Sequence, residues 1–274
     1  MNLSQISSPI LKNYLLSRFP DLNLTEKKAT FHNCPKYPMD LKCCTFHPFL
    51  TNYSVGAILS DPNTPKFILE QIRSKIQNQE YALPLGLFAP VKYQIEFHQR
   101  NENDFGFNSK FLCPYFDKIK QQCGIWAYRG SVCTSYFCDS DFGKKGLQFW
   151  SLFGDYLHYL EMSLAQDCMV SLGLDADLID LQLEYINCES ASEEEVQSNS
   201  MSDSIFNCHW KSWMELNQIN SDNAKSAWIE KFYIDSFNYA KSISLDNLKI
   251  IFTDDEIDNF EIQLMKNHKK FHYN

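Results

Sequence analysis

Seven of the chain's ten cysteines fall in two blocks, Cys34, Cys43 and Cys44 in the first and Cys113, Cys123, Cys133 and Cys138 in the second. The second block runs CPYFDKIKQQCGIWAYRGSVCTSYFC, with nine, nine and four residues between successive cysteines. These spacings differ from the short Cys-x2-Cys knuckles of ordinary zinc fingers and from the tight runs of bacterial ferredoxins. Long, uneven gaps imply ligands carried on several loops folded around one centre. Soft thiolates suit zinc or an iron–sulfur cluster and do not suit magnesium or calcium. Four thiolates satisfy either a closed zinc site or a [4Fe–4S] cluster. Seven leave room for two centres, or for one centre with other cysteines beside it. Cys43 and Cys44 point in different directions on an extended chain, so they need not bind the same metal.

A disulfide framework is the alternative, and it belongs to short secreted chains. This chain has 274 residues, and 44% of them are hydrophobic. That is enough to bury a sizeable core without cross-links. In residues 1–20 no basic stretch precedes the apolar positions, and Lys12 and Arg18 interrupt them. The segment does not read as a signal peptide. No run approaches the roughly 18 apolar residues that span a bilayer. A cytoplasmic protein with reduced thiols and no membrane partner is expected. The formal net charge of −9 argues against nucleic acid as a partner. Lys269 and Lys270 are a minor basic spot, read as solvated.

The fold class expected is mainly α with minor β, with a loop-built cysteine or metal centre packed against helices. Residues 8–19 carry an apolar stripe of Ile10, Leu11, Tyr14, Leu15 and Phe19 behind Ser8 and Pro9. Residues 28–34 read as extended, and Pro35, Pro38 and Pro48 break the segment that follows into a loop. A helix starts at Thr64-Pro65, with Phe67, Ile68, Ile72 and Ile76 on one side. Residues 93–98 alternate Tyr93, Ile95 and Phe97 with Gln94, Glu96 and His98, and read as a strand. A turn rich in Asn, Asp and Gly follows, and the second cysteine block reads as loops with one short extended piece. The strongest helix lies over residues 146–174, where Phe149, Phe153, Tyr156, Leu157, Leu160, Leu164 and Cys168 keep a 3.6-residue period and Gly173 marks a stop. Residues 205–242 read as helical, and Thr253 with Glu256 forms a capping box before a last helix. The expected organisation is a cysteine-cluster domain over 1–185, an acidic Ser-rich linker or loop over 186–204, and a helical region over 205–274.

The second block resembles the YkgJ-type cysteine-cluster proteins, described as zinc- or iron-chelating. The matching residues are Cys113, Pro114, Phe116, Asp117, Cys123, Ile125, Trp126, Arg129, Cys133, Phe137 and Cys138. That family also has an upstream group ending in a Cys-Cys pair, which Cys34, Cys43 and Cys44 resemble. Arg129-Gly130 stands where the family has Arg-Pro. The resemblance covers roughly residues 30–170. The same block is similar to that of the flagellin lysine methylase, and this likeness implies a [4Fe–4S] cluster in preference to zinc. No glycine-rich methyl-donor loop accompanies it, since the nine glycines include no G-x-G-x-x-G.

Beside the cysteines, Arg129 reads either as a cation offsetting the charge of a thiolate centre or as a surface residue paired with Asp117 or Asp139. Asp117 would equally cap a turn. His47 is a candidate ligand of the centre, or a hydrogen-bond donor to one of its ligands, weighed against an ordinary loop histidine. Tyr115, Phe116, Trp126, Tyr136 and Phe137 read as a dry shell around the centre. Cys168 reads as core, Cys188 as a spectator, and Cys208-His209 and His268 with His272 as weak metal pairs. Three function classes stay open: a metal- or cluster-binding protein, a cluster-dependent group-transfer or redox enzyme, and a structural zinc module for protein–protein contact. No catalytic constellation is readable, and the protein partner and substrate are unknown.

Overall fold

The computed structural model describes residues 9–20, 38, 41, 43–78, 82–137, 139–174, 214–215 and 217–272. It is mainly helical with a small sheet, as expected. The helices are α1 (Pro9–Arg18), α2 (Asn52–Ser60), α3 (Lys66–Gln77), α4 (Val91–His98), α5 (Ser131–Ser135), α6 (Gly143–Ser171), α7 (Asp222–Ser242), α8 (Leu245–Ile251) and α9 (Asp255–His272). Strands β1 (Leu50–Thr51), β2 (Ala82–Leu83) and β3 (Gly86–Leu87) form an antiparallel sheet in the order β1-β3-β2, with Leu50 and Ala82 both opposite Leu87. A hairpin of β4 (Phe116–Asp117) and β5 (Gln122–Cys123) stands apart from it.

The helix α6 forms where its periodicity predicts. Phe149, Phe153, Tyr156, Leu157, Leu160, Leu164 and Cys168 are all buried on it, and Gly173 ends it at φ 90°. Cys168 is therefore a core residue, as its place on the stripe indicates. Ile68, Ile72 and Ile76 of α3 are buried, with Phe67 packed against the same core. Helices α2 and α7 pack closely against each other. A Cβ on Gly56 would lie 1.8 Å from the Tyr233 carbonyl oxygen, so only glycine lets these backbones meet. Tyr233 then donates to the carbonyls of Leu83 (2.8 Å) and Gly86 (3.1 Å), seating the small sheet on α7. Asn52 donates to the carbonyls of Pro84 (3.0 Å) and Ala165 (2.9 Å), tying sheet to α6. Helices from both ends of the chain thus share one core.

Two local readings need correction. Residues 93–98 are helical, inside α4, and not a strand. Pro90 occupies the N-cap, and the Tyr93 and Phe97 rings, one turn apart, stack 5.8 Å between centroids. Over six residues a period of two and a period of 3.6 share too many positions to be told apart. The cap of α9 is Asp254, whose carboxylate accepts from the Glu256 N–H at 2.7 Å. Thr253 instead donates its hydroxyl to the Lys249 carbonyl. No sequence pattern read above predicts the short helices α2, α5 and α8. The readings over 28–34 and 186–204 lie outside the described residues, and of 205–242 the long helix begins only at Asp222, capped by Ser221.

One carboxylate fastens α1 to the helical body. Glu261 of α9 accepts from Tyr156 of α6 at 2.9 Å and from Tyr14 of α1 at 3.4 Å, and it pairs with Arg18 through both oxygens. Burial and the neighbouring carboxylate push the Tyr14 hydroxyl up to about 12, so it stays a donor. Removing the acceptor strands two inward-facing hydroxyls and, among the described residues, leaves the partly exposed Arg18 guanidinium only Asp258, at 3.8 Å. Glu261→Ala is expected to cost about 3 kcal/mol in urea unfolding. A loss within about 0.5 kcal/mol, the usual range for surface changes, would show the network to be dispensable.

Candidate metal centre

A hydrogen bond joins the first cysteine block to the second, and two more tie the residues after the first block to Tyr93 and Gly106. The Cys113 N–H donates to the Cys44 carbonyl at 2.7 Å. The Gly106 N–H donates to the Thr45 hydroxyl at 2.6 Å, and the His47 N–H donates to the Tyr93 hydroxyl at 2.8 Å. Phe46, Tyr93, Phe97 and Phe111 pack around this clasp, with the Arg100 guanidinium 3.6 Å from the centre of the Phe97 ring. The helical turn at 93–98 is what presents Tyr93 and Phe97 together. The misread element is therefore part of the scaffold of the site.

The hairpin places the next cysteine. Cys123 lies opposite Phe116 in register. Asp117 caps the turn by accepting from the N–H groups of Ile119 and Lys120, both at 2.9 Å, and Gln121 takes the left-handed φ of 52° that closes it. A 3-10 turn over Trp126–Tyr128 follows, anchored where the Tyr128 hydroxyl donates to Asp61 at 2.5 Å. Arg129 then turns inward. It is only 8% exposed, stacks 3.4 Å from the centre of the Trp126 ring, and donates to the carbonyls of Trp126 (3.1 Å) and Cys133 (3.2 Å). Among the described residues no ion pair reaches it. The surface pairing with Asp117 or Asp139 is thus overturned, and Asp117 is engaged in its own turn.

The next element, α5, carries Cys133 and lies along α6. A Cβ on Gly154 would lie 2.3 Å from the Ser135 hydroxyl, so α5 settles where α6 has no side chain. At the other end of α5 the Ser131 N–H donates to the buried Glu161 carboxylate at 2.9 Å. Burial pushes that carboxyl up to about 7, against the pull of the Ser131 donors. Sequence reading missed Glu161. Its signal was present: an acid four residues after Leu157 and three before Leu164 sits on the buried stripe.

The six described cysteines, Cys43, Cys44, Cys113, Cys123, Cys133 and Cys168, stand in no disulfide. Five of them are near enough to influence one another. Burial pushes Cys113 well up, and Cys133, Cys123 and Cys43 add to it. Burial likewise raises Cys133 to about 12, with Cys123 adding and Arg129 opposing. Cys44 is raised first by its hydrogen bond with Cys43, then by burial, then by the charges of Cys43, Cys113 and Cys123. Burial draws Arg129 down, while Cys123, Cys133, Cys43 and Cys44 hold it up. Among the described residues the two blocks therefore share one neighbourhood, with the buried Arg129 guanidinium beside it. Among the described residues no three His, Cys, Asp or Glu side chains are disposed to hold a metal ion together. Cys34 and Cys138 lie outside the described residues, as do Cys188, Cys208 and His209 and the side chain of His272.

The aromatic shell is only partly dry. Tyr115, Phe116 and Phe137 are buried, whereas Trp126 and Tyr136 are exposed at the surface. Among the described residues no helix is long and apolar enough to cross a membrane. No protein-family model, curated protein or solved structure matches the chain at a significant level.

His47 is buried against the edges of Tyr93 and Tyr115, and its Nε2 finds no hydrogen-bond partner among the described residues. Burial, with the Lys75 charge adding, lowers its pKa from 6.5 to about 3. The folded state holds the ring neutral, while the unfolded chain takes up a proton below about 6.5. Its contribution is therefore full above that pH and is lost as pH falls toward about 3, at up to about 1.4 kcal/mol per pH unit. His47→Phe is expected to flatten the acid limb of the stability–pH curve between roughly pH 6 and 4. An unchanged slope would place the acid sensitivity elsewhere.

Proposed function

We propose that this chain is a metal-binding protein that holds a [4Fe–4S] cluster or zinc through its cysteine blocks. Cys113, Cys123, Cys133 and Cys138 are the ligands, and Cys34, Cys43 and Cys44 complete the site or add a second one. The observation that carries this reading is Arg129: a buried guanidinium beside four thiols, with no ion pair among the described residues. A buried cation needs an anion, and thiolates held by a metal supply it. The donor types suit these metals, since thiols that stand in no disulfide are the soft ligands that zinc and iron–sulfur centres take. The resemblance of residues 113–138 to the YkgJ-type proteins supports the same reading, and the likeness to the flagellin lysine methylase favours the cluster.

When bound, a [4Fe–4S] centre supplies one-electron chemistry and a zinc ion supplies structural closure. The chain's own residues do the rest. The clasp between Cys44 and Cys113 brings the blocks together, the hairpin sets Cys123, and α5 sets Cys133. Arg129 offsets thiolate charge, and Tyr115, Phe116 and Phe137 keep the inner side dry.

Anaerobic purification, with absorption and elemental analysis on one sample, tests the reading. A brown protein with about four irons per chain supports the cluster. A colourless protein with one or two bound zincs supports zinc and removes the redox alternative. Folded protein without metal overturns both. Where metal is bound, Arg129→Gln is expected to weaken it by about 10–100-fold in a chelator competition, with Arg129→Lys retaining more. Loading should also raise hydrogen-exchange protection across residues 43–137 while leaving residues 146–171 of α6 unchanged. Equal protection with and without metal would contradict the coupling.

A further inference from the structure

We propose that Glu161 is a positioning residue for the cysteine centre: from the long helix it holds the start of α5 and thereby directs Cys133. The proposal rests on the reading that Cys133 is a ligand, but its geometry does not.

The helix α5 has five residues, far too few to hold its own shape in isolation. Its N-cap is Gly130, which has no side chain to satisfy the free N–H groups of a first turn. Glu161 does so from outside, accepting from the Ser131 N–H at 2.9 Å. Bonds from a carboxylate to backbone donors are among the stronger hydrogen bonds in proteins. A carboxylate on the apolar face of a core helix is costly, since Glu161 is only 6% exposed. Leucine at this position would continue the stripe at no such cost, so the acid is there for its acceptor.

The other restraints on α5 complete the grip. Ser135, at its end, rests over Gly154 of α6. Gly154 and Glu161 are seven residues apart, about two turns along one face of α6. Arg129 donates to the Cys133 carbonyl at 3.2 Å. The turn bearing Cys133 is thus held at its start by a carboxyl oxygen, along its backbone by a guanidinium, and at its end by steric fit. Neither side chain is itself a candidate ligand. The Phe137 ring, two residues beyond α5, packs 4.3 Å from Trp150 of α6 and fixes the exit.

Thiol labelling of the full chain tests this without needing the metal. Chelator-treated native protein is pulsed with iodoacetamide, and alkylation at each cysteine is read by peptide mass spectrometry. Glu161→Ala is expected to speed Cys133 alkylation by about tenfold, with Cys113, Cys123 and buried Cys168 at wild-type rates. Glu161→Gln, whose amide oxygen still accepts from Ser131, should restore the Cys133 rate. Wild-type labelling of Cys133 in Glu161→Ala overturns the proposal, and so does an equal rise at Cys113 and Cys123, which would mark a general structural role. If Glu161→Ala exposes Cys168 and so fails to fold, Glu161→Asp decides, since its carboxylate is one methylene short. Selective Cys133 labelling there upholds the proposal, and unchanged labelling overturns it. Selective labelling in a protein that takes up neither iron nor zinc would leave Glu161 positioning Cys133 and defeat only the metal reading.

Discussion

The buried face of α6 is the constraint on which the rest of the molecule depends. Phe149, Phe153, Tyr156, Leu157, Leu160 and Leu164 give α9, α7 and α2 an apolar surface to cover. Burying such side chains is the main favourable contribution available to a chain of this kind. The same face also carries the exceptions that matter locally. Gly154 opens a place for α5, and Glu161 supplies the acceptor that α5 lacks. One helix therefore orders the core and the backbone of the cysteine block at once.

A buried guanidinium and a buried carboxyl, the latter raised by burial to about 7, flank the thiols. Arg129 lies over Trp126 among the cysteines, and Glu161 lies behind α5. Each is held by backbone partners, the guanidinium by two carbonyls and the carboxylate by an N–H. Charges in a low-dielectric interior persist only with such partners. Their arrangement keeps the guanidinium toward the sulfurs and the carboxyl toward the α5 backbone. A centre that gathers negative charge from thiolates is better supported that way round.

Much of the helical frame was legible in the sequence. The stripes of α3 and α6 were long enough for the 3.6-residue period to stand out, and α1 followed from its own spacing. Residues 93–98 were not legible, because six alternating residues also fit a helix that presents Tyr93 and Phe97 together. The capping of α9 failed on a finer point. Thr253 and Asp254 are both good caps, and the chain direction out of α8 decided which side chain faced the new helix. The five-residue α5 had no periodicity to read, and it exists because α6 holds it.

The sequence by itself determined the identity of the candidate ligands, the mainly helical class, and the core place of Cys168. Those follow from residue chemistry and from periods that act within a few turns. The tertiary structure decided that Cys43 and Cys44 lie beside Cys113, Cys123 and Cys133, that Arg129 is buried among them, and that Glu161 steadies the last of these. Residues far apart along a chain leave no local pattern to announce that they meet. Their meeting depends on bonds such as Cys113 N–H to Cys44 carbonyl, which form only once the helices have closed the loops between them.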